Sequence, residues 1–155
     1  MRHYTKIRGD RSGFTLMELM VVIALIAILA ATAIPGFSVW LPNWRLKAAA
    51  RDLYSNLQLM KLTAVKENTS RGISFSTGPD RYEFMLSGVT KTVILSDYGS
   101  GVKYGNPTPS LTFTTSPLTF DSRGFSNTGS VYLSNEKNST FFTITLVSTG
   151  AISMQ

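Results

Sequence analysis

Apolar residues fill the chain almost without interruption from Phe14 to Ile34. Glu18 is the only charged residue in this 21-residue segment. A helix rises about 1.5 Å per residue, so the segment would be about 30 Å long, which is the thickness of the hydrocarbon core of a bilayer. The pattern predicts a transmembrane helix and junction within residues 14–42.

The pattern changes at the prolines that follow. Pro35 and Pro42 each remove a backbone hydrogen bond and crowd the preceding turn, so we expect the helix to break at both. Residues 43–68 then predict an amphipathic helix with Asn43 as its N-cap. Its apolar face has three-four spacing and comprises Leu46, Ala50, Leu53, Leu57, Met60 and Ala64.

Residues 69–155 read as a β-rich globular head. Alternating and β-branched runs separated by Gly and Pro turns predict strands, whereas residues 98–109 predict a loop. The predicted strands are 72–76, 82–86, 90–95, 111–114, 118–120, 131–133, 140–147 and 151–154. A long helix followed by short strands indicates an α+β fold, with a mainly antiparallel sheet packed on the second half of the helix.

Residues 1–13 are basic and precede the apolar segment directly. Four basic residues and one acidic residue lie there, so the segment holds three of the six formal positive charges. Such clusters favour the cytoplasmic side, which leaves the head on the opposite side of the membrane. A carboxylate at Glu18 inside an apolar helix costs roughly 2.5 kcal/mol or more unless it reaches the interface or a cation from another chain.

The run Gly13-Phe14-Thr15-Leu16-Met17-Glu18, between the basic segment and the apolar helix, resembles the class III leader of type IV pilins and type II secretion pseudopilins. The resemblance implies that a prepilin peptidase removes residues 1–13, cleaves between Gly13 and Phe14, and methylates the new amino group of Phe14. It also implies that Glu18 meets the amino terminus of a neighbouring subunit during filament assembly. Pro35 matches a proline where the family's helix can unwind.

An ordinary secretory cleavage is the competing interpretation. Ala31-Thr32-Ala33 has the A-x-A form of such a site and would place the mature terminus at Ile34. The apolar segment is longer than the usual 7–15 residues or so, and an acidic residue within it is unusual. These features favour cleavage after Gly13.

Composition removes several classes of function. The chain has no cysteine, and its one histidine, His3, lies in the leader. A mature chain without His or Cys lacks the usual parts of hydrolytic triads and transition-metal sites, so we expect neither an enzyme nor a metal or other cofactor. The dispersed acidic residues do not match an EF-hand either.

For each of two groups of residues near the start of the amphipathic helix, the sequence allows two interpretations. Trp40 and Trp44 suit the headgroup region of a membrane, and they suit equally a cover for the base of the head. Arg45, Lys47 and Arg51 could contact lipid headgroups or nucleic acid, although a solvated face is the simpler interpretation.

The head carries a second resemblance. Residues 118–124 (LTFDSRG), followed by a Gly-containing hairpin and a strand ending at Thr149-Gly150, resemble the GspH/FimT branch of minor pilins and pseudopilins. That branch implies two antiparallel sheets on the pilin helix. Some DNA-binding members carry arginines after the final glycine, whereas this chain has Gly150-Ala151-Ile152-Ser153, which offers no guanidinium to a phosphate.

These observations predict a non-catalytic minor pilin or pseudopilin that initiates assembly or caps a filament of a type IV pilus or type II secretion system. Its expected partners are other pilin or pseudopilin subunits, the prepilin peptidase and inner-membrane lipid. We expect a single pass through the bacterial inner membrane, with the N-terminus cytoplasmic and the head periplasmic, before entry into the filament. The alternative is a pilus-tip receptor that binds DNA for uptake.

Overall fold

The computed structural model describes residues 13–105, 113–136 and 138–155, without the side chains of 33–39, 138 and 139. The leader residues 1–12 and the first half of the predicted strand 111–114 therefore lie outside the described residues. The chain divides into two compact units, residues 1–37 and residues 38–155, and each is considered by itself.

A single long helix, α1, covers Leu16–Lys66. The predicted breaks at Pro35 and Pro42 are wrong as ends of secondary structure, because helical backbone continues through both positions. A proline removes only one hydrogen bond of the helical ladder, and the bonds on either side keep the backbone helical. Asn43 is consequently an internal residue of α1, so the prediction that it caps a separate helix is also wrong.

The predicted apolar face of α1 is confirmed. Its side chains are fully buried, namely Leu46, Ala50, Leu53, Leu57, Met60 and Ala64, together with Ala49. They join one hydrophobic core with residues from both sheets of the head. Alanines at three of these positions allow close approach of the sheets, while the leucines and Met60 fill the remaining space.

The described residues of the head form two antiparallel four-stranded sheets, with strand orders β3-β2-β1-β5 and β4-β6-β7-β8. A 3-10 turn at Leu95–Tyr98 connects the first sheet to the second. The strands are β1 Arg71–Ser76, β2 Arg81–Leu86, β3 Val89–Ile94, β4 Val102–Tyr104, β5 Leu118–Phe120, β6 Gly129–Asn135, β7 Asn138–Leu146 and β8 Ile152–Met154. This α+β arrangement, with two sheets on the helix, confirms the predicted fold class.

Of the strands that the described residues form, the sequence pattern missed one, which lies in the second sheet. β4 lies inside the predicted loop 98–109 and pairs with β6. Val102 and Tyr104 point into the core, since only 3% and 4% of their surfaces are exposed. Three alternating residues between glycines are too short a pattern to predict a strand, and pairing with β6 provides the missing stabilisation.

Phe113 and Leu95 also differ from the prediction. Phe113 forms an isolated bridge to Val131 and belongs to no named strand. Leu95, expected at the end of β3, begins the 3-10 turn and is fully buried.

Among the described residues, no helix combines the length and the apolar character that identify a membrane span. The predicted span therefore stays a prediction. The side chains of residues 14–32 are exposed, with exposed fractions of 84% for Phe14 and 67% for Leu29.

Leu57→Ala should lower the free energy of unfolding by about 2–5 kcal/mol, because it leaves a cavity under the fully buried face of α1. Leu62→Ala is the matched control on the same helix, since Leu62 is 67% exposed, and its effect should stay within about 0.5 kcal/mol. Urea unfolding followed by far-UV circular dichroism measures both. Equal losses would contradict the assignment of the buried face.

Candidate assembly site

The first turn of α1 carries a helix cap. Thr15 precedes the first helical residue, and its Oγ1 accepts a hydrogen bond from the backbone N–H of Glu18 at 3.2 Å. The carbonyl oxygen of Thr15 accepts a second bond from the N–H of Leu19, also at 3.2 Å. Thr15 is therefore the N-cap residue, and Glu18 lies at the third helical position, where the helix dipole favours a negative charge.

The predicted processing residues lie immediately before this cap. Gly13 and Phe14 are both exposed, and a Cβ built on Gly13 would meet no atom of the described residues within 4 Å. Glu18 is exposed too, and its carboxylate takes part in none of the ion pairs formed by the described residues. The three residues Gly13, Phe14 and Glu18 are thus grouped at one end of α1 by their proximity in sequence.

Thr15 is a residue of this site that the sequence interpretation did not use. Thr15-x-x-Glu18 has the spacing of a capping box, in which the Ser or Thr bonds to the N–H of the third helical residue. This spacing was visible in the sequence, but the apolar residues around it favoured a membrane helix, and the capping spacing was not used. Glu18 therefore has a local reason to be in this position besides any contact with another subunit.

Pro42 lies in the other unit and contacts the head. Pro42 is buried, and its carbonyl oxygen accepts a hydrogen bond from Nδ2 of Asn135 at 3.4 Å. Asn135 is itself only 3% exposed. This bond connects α1 to β6, so Pro42 is part of the base of the head.

Within the head, two loops meet at Lys61. The ammonium group of Lys61 donates a hydrogen bond to the carbonyl oxygen of Gly150 at 2.9 Å. Gly150 has φ +75°, and a Cβ built on it would overlap the carbonyl oxygen of Gly124. Gly124 has φ +83° and lies against Lys61 and Val65. The two glycines noted in the sequence are thus required by positive φ and by the close approach of two main chains.

The turn before Gly124 is built on Asp121. One carboxylate oxygen, Oδ1, accepts from the N–H groups of Arg123 at 2.8 Å and Phe125 at 2.9 Å, and Oδ2 pairs with the Arg123 guanidinium at 3.2 Å. Desolvation acts to raise the pKa of Asp121, but these donors outweigh it and hold that pKa below its usual value. The Asp121 side chain thus holds this turn through two main-chain hydrogen bonds and one ion pair.

A second carboxylate of α1, Asp52, is satisfied inside the head. It accepts hydrogen bonds from the hydroxyl groups of Tyr82, at 2.9 Å, and Tyr98, and from Nδ2 of Asn56 at 3.2 Å. Burial, and next the charge of Asp52, raise the pKa of Tyr82, while burial and the hydrogen bond to Asp52 raise that of Tyr98. Both tyrosines therefore remain neutral donors, and they connect α1 to β2 and to the 3-10 turn.

The sequence of this head matches a known family. Residues 49–150, about two thirds of the chain, match the family described as type II transport protein GspH. The chain belongs to this family. Residues 8–34 match the prokaryotic N-terminal methylation motif, which includes Gly13, Phe14 and Glu18. These two matches identify the chain as a GspH-like minor pilin or pseudopilin, as the sequence predicted.

Solved structures of low sequence identity share the fold. The minor pseudopilin EpsH from the type 2 secretion system of Vibrio cholerae has a TM-score of 0.54 at 16% identity, covering 72% of this chain and 96% of that chain. The type IV minor pilin FimU of Pseudomonas aeruginosa also gives 0.54, at 14% identity, covering 71% and 87%. The solution structure of Escherichia coli GspH gives 0.51 at 15% identity, covering 73% and 89%.

A relative of higher identity matches a shorter part of the chain. It is the fimbrial protein of Moraxella nonliquefaciens, 36% identical over 70 residues, which are 45% of this chain and 42% of that protein. The chain therefore matches less than half the length of this relative. None of these comparisons supports the alternative of a DNA receptor.

Gly150→Ala should destabilise the head strongly, because its methyl group would overlap the Gly124 carbonyl in addition to straining a positive φ. Gly88→Ala is the matched control, since Gly88 has φ +78° but open space around its Cβ position. We expect a loss of about 1 kcal/mol for Gly88→Ala and roughly 1–3 kcal/mol more for Gly150→Ala. Urea unfolding provides the comparison, and a Gly150→Ala loss no greater than that of Gly88→Ala would show that the two loops separate freely.

Proposed function

We propose that this GspH-family subunit is stored in the inner membrane by the apolar segment 14–34 and enters its filament through Glu18. A prepilin peptidase cleaves between Gly13 and Phe14 and methylates the Phe14 amino group. The Glu18 carboxylate then pairs with the Phe14 ammonium group of a neighbouring subunit. The head, on the periplasmic side, initiates the filament or caps it.

The observation that carries this proposal is the state of Glu18. It is exposed in the first turn of α1 and has no ionic partner among the described residues, whereas Asp52 on the same helix accepts three hydrogen bonds. The helix dipole stabilises an acid at this position by about 0.3–1 kcal/mol. Burial of the carboxylate in the membrane costs roughly 2.5 kcal/mol or more, so the cap alone does not offset it and a cation from outside the chain is favoured.

Phe14 is suited to supply that cation. Cleavage after Gly13 would convert its backbone nitrogen into an α-amino group, and methylation of an amine retains the positive charge. Gly13 is exposed, and none of the described residues has an atom within 4 Å of its Cβ position, which is consistent with access by a peptidase. The exposed apolar side chains between Phe14 and Leu29 supply a surface for lipid first and for neighbouring helices later.

Glu18→Gln should leave the subunit in the membrane fraction and reduce its recovery in sheared filaments about tenfold, which corresponds to the loss of about 1.4 kcal/mol. Thr15→Ala is the matched control: it removes the helix cap and keeps the carboxylate. We expect near-normal recovery for this variant, and immunoblots of the two fractions measure both. If Thr15→Ala lost as much as Glu18→Gln, or if Glu18→Gln assembled normally, Glu18 would act through the capping box instead.

Gly13→Val should block maturation, because a branched side chain replaces the glycine at the cleavage position. Mass spectrometry of the membrane-extracted wild-type chain should give a terminus at Phe14 with one added methyl group, and the variant should retain Met1. A wild-type terminus at Ile34 would instead establish ordinary secretory cleavage after Ala33, and a wild-type chain that retains Met1 would exclude processing altogether.

A further inference from the structure

Two tryptophans and two basic residues form one exposed stripe on α1. Trp40 and Trp44 are 57% and 56% exposed, and their rings stack with centroids 6.4 Å apart. Lys47 and Arg51 continue the same face at three-four spacing and are also exposed. We call these four residues the aromatic-basic stripe.

The head covers this stripe only in part. Trp40, Trp44 and Lys47 line a groove of about 330 Å³ whose other wall includes Thr140 and Phe142 of β7. More than half of the surface of each tryptophan residue nevertheless remains accessible, so the two residues are not a closed cover for the base of the head.

Some charged side chains near the stripe contact the head, and others remain exposed. Arg45 turns towards the head and lies against Gly99. Asp52 is engaged by Tyr82 and Tyr98. Lys47 and Arg51 take part in no ion pair among the described residues, so the exposed face is positive.

The order of residues along the chain indicates what this stripe contacts. No charged residue occurs between Glu18 and Arg45, and only five residues separate the end of the apolar segment at Ile34 from Trp40. Apolar residues, then tryptophan, then lysine and arginine is the order in which a chain leaving a bilayer meets hydrocarbon, headgroup region and anionic phosphate.

We propose that the aromatic-basic stripe seats the head on the lipid headgroup layer of the membrane while the subunit awaits assembly. The indoles enter the headgroup region, and Lys47 and Arg51 bind lipid phosphates. This inference rests on the proposed membrane storage of the subunit. A second copy docked through the same stripe is disfavoured, because Lys47 and Arg51 would face like charges.

The chain contains only two tryptophans, so its intrinsic tryptophan fluorescence reports on this stripe alone. The full-length protein would be reconstituted at low density in phosphatidylethanolamine and phosphatidylglycerol vesicles, and flotation would establish insertion. We expect quenching by lipids brominated near the headgroup end of the acyl chain and protection from aqueous iodide. The matched reporter is Trp40→Phe/Trp44→Phe/Leu62→Trp, which moves the indole along α1 to another exposed position and should reverse both results.

Each outcome is informative. A floating protein whose native tryptophans are quenched by iodide and not by brominated lipid overturns the headgroup contact and leaves membrane storage intact. Protection from both quenchers would mean that protein covers the stripe, and this result would also overturn the headgroup contact. A protein that does not float overturns the proposed storage together with this inference.

The basic half of the stripe is tested separately. Replacing zwitterionic vesicles by anionic ones should shift the wild-type emission to shorter wavelength, because phosphates of anionic lipids attract Lys47 and Arg51. The variant Lys47→Gln/Arg51→Gln should lose this shift and keep its quenching by brominated lipid. A shift that persists in the variant would exclude these two residues as the phosphate contacts.

Discussion

Burial of one face of α1 under two β-sheets is the interaction on which the head depends. Seven side chains of that face are fully buried, and the strands contribute their inward residues to the same core. Burial of one large apolar side chain stabilises a fold by about 1.5–3 kcal/mol. The buried face of α1 therefore contributes more stabilising free energy than any single polar contact of the head. The polar contacts instead select position: Asn135 with Pro42, Lys61 with Gly150, and the tyrosines with Asp52 each tie α1 to a particular strand or loop.

The two carboxylates of α1 lie in different environments, one within the head and one in the apolar segment. Asp52 is surrounded by donors from Tyr82, Tyr98 and Asn56, and its charge is accommodated within the head. Glu18 is the only charged residue of the apolar segment 14–34, and the hydrogen bond described for it joins its backbone N–H to the Thr15 hydroxyl. Folding provides hydrogen-bond partners for Asp52, whereas Glu18 has no ionic partner among the described residues. This contrast is what makes Glu18 the candidate for pairing with another subunit.

Much of the fold followed from periodicity in the sequence, since the buried face of α1 and most strands have clear three-four or alternating patterns. β4 did not, because Val102–Tyr104 is too short for a pattern and depends on its pairing with β6. The predicted helix breaks at Pro35 and Pro42 failed because a local preference of proline against helix was outweighed by the helical residues on both sides. Of the candidate site, Gly13, Phe14 and Glu18 were visible as a motif. The capping-box spacing of Thr15 and Glu18 was visible too, but only the structure shows that the Thr15 hydroxyl caps α1.

The meeting of Gly150 with Gly124 has a consequence for how such proteins diverge. Two main chains approach each other there with no side chain between them, and Lys61 reaches the contact from α1 through a carbonyl oxygen. Neither glycine has an alternative residue with which to compensate for a change at the other. The contact is therefore a constraint of the main chain itself, and side chains on the surrounding surface can change to suit a different neighbour without altering it.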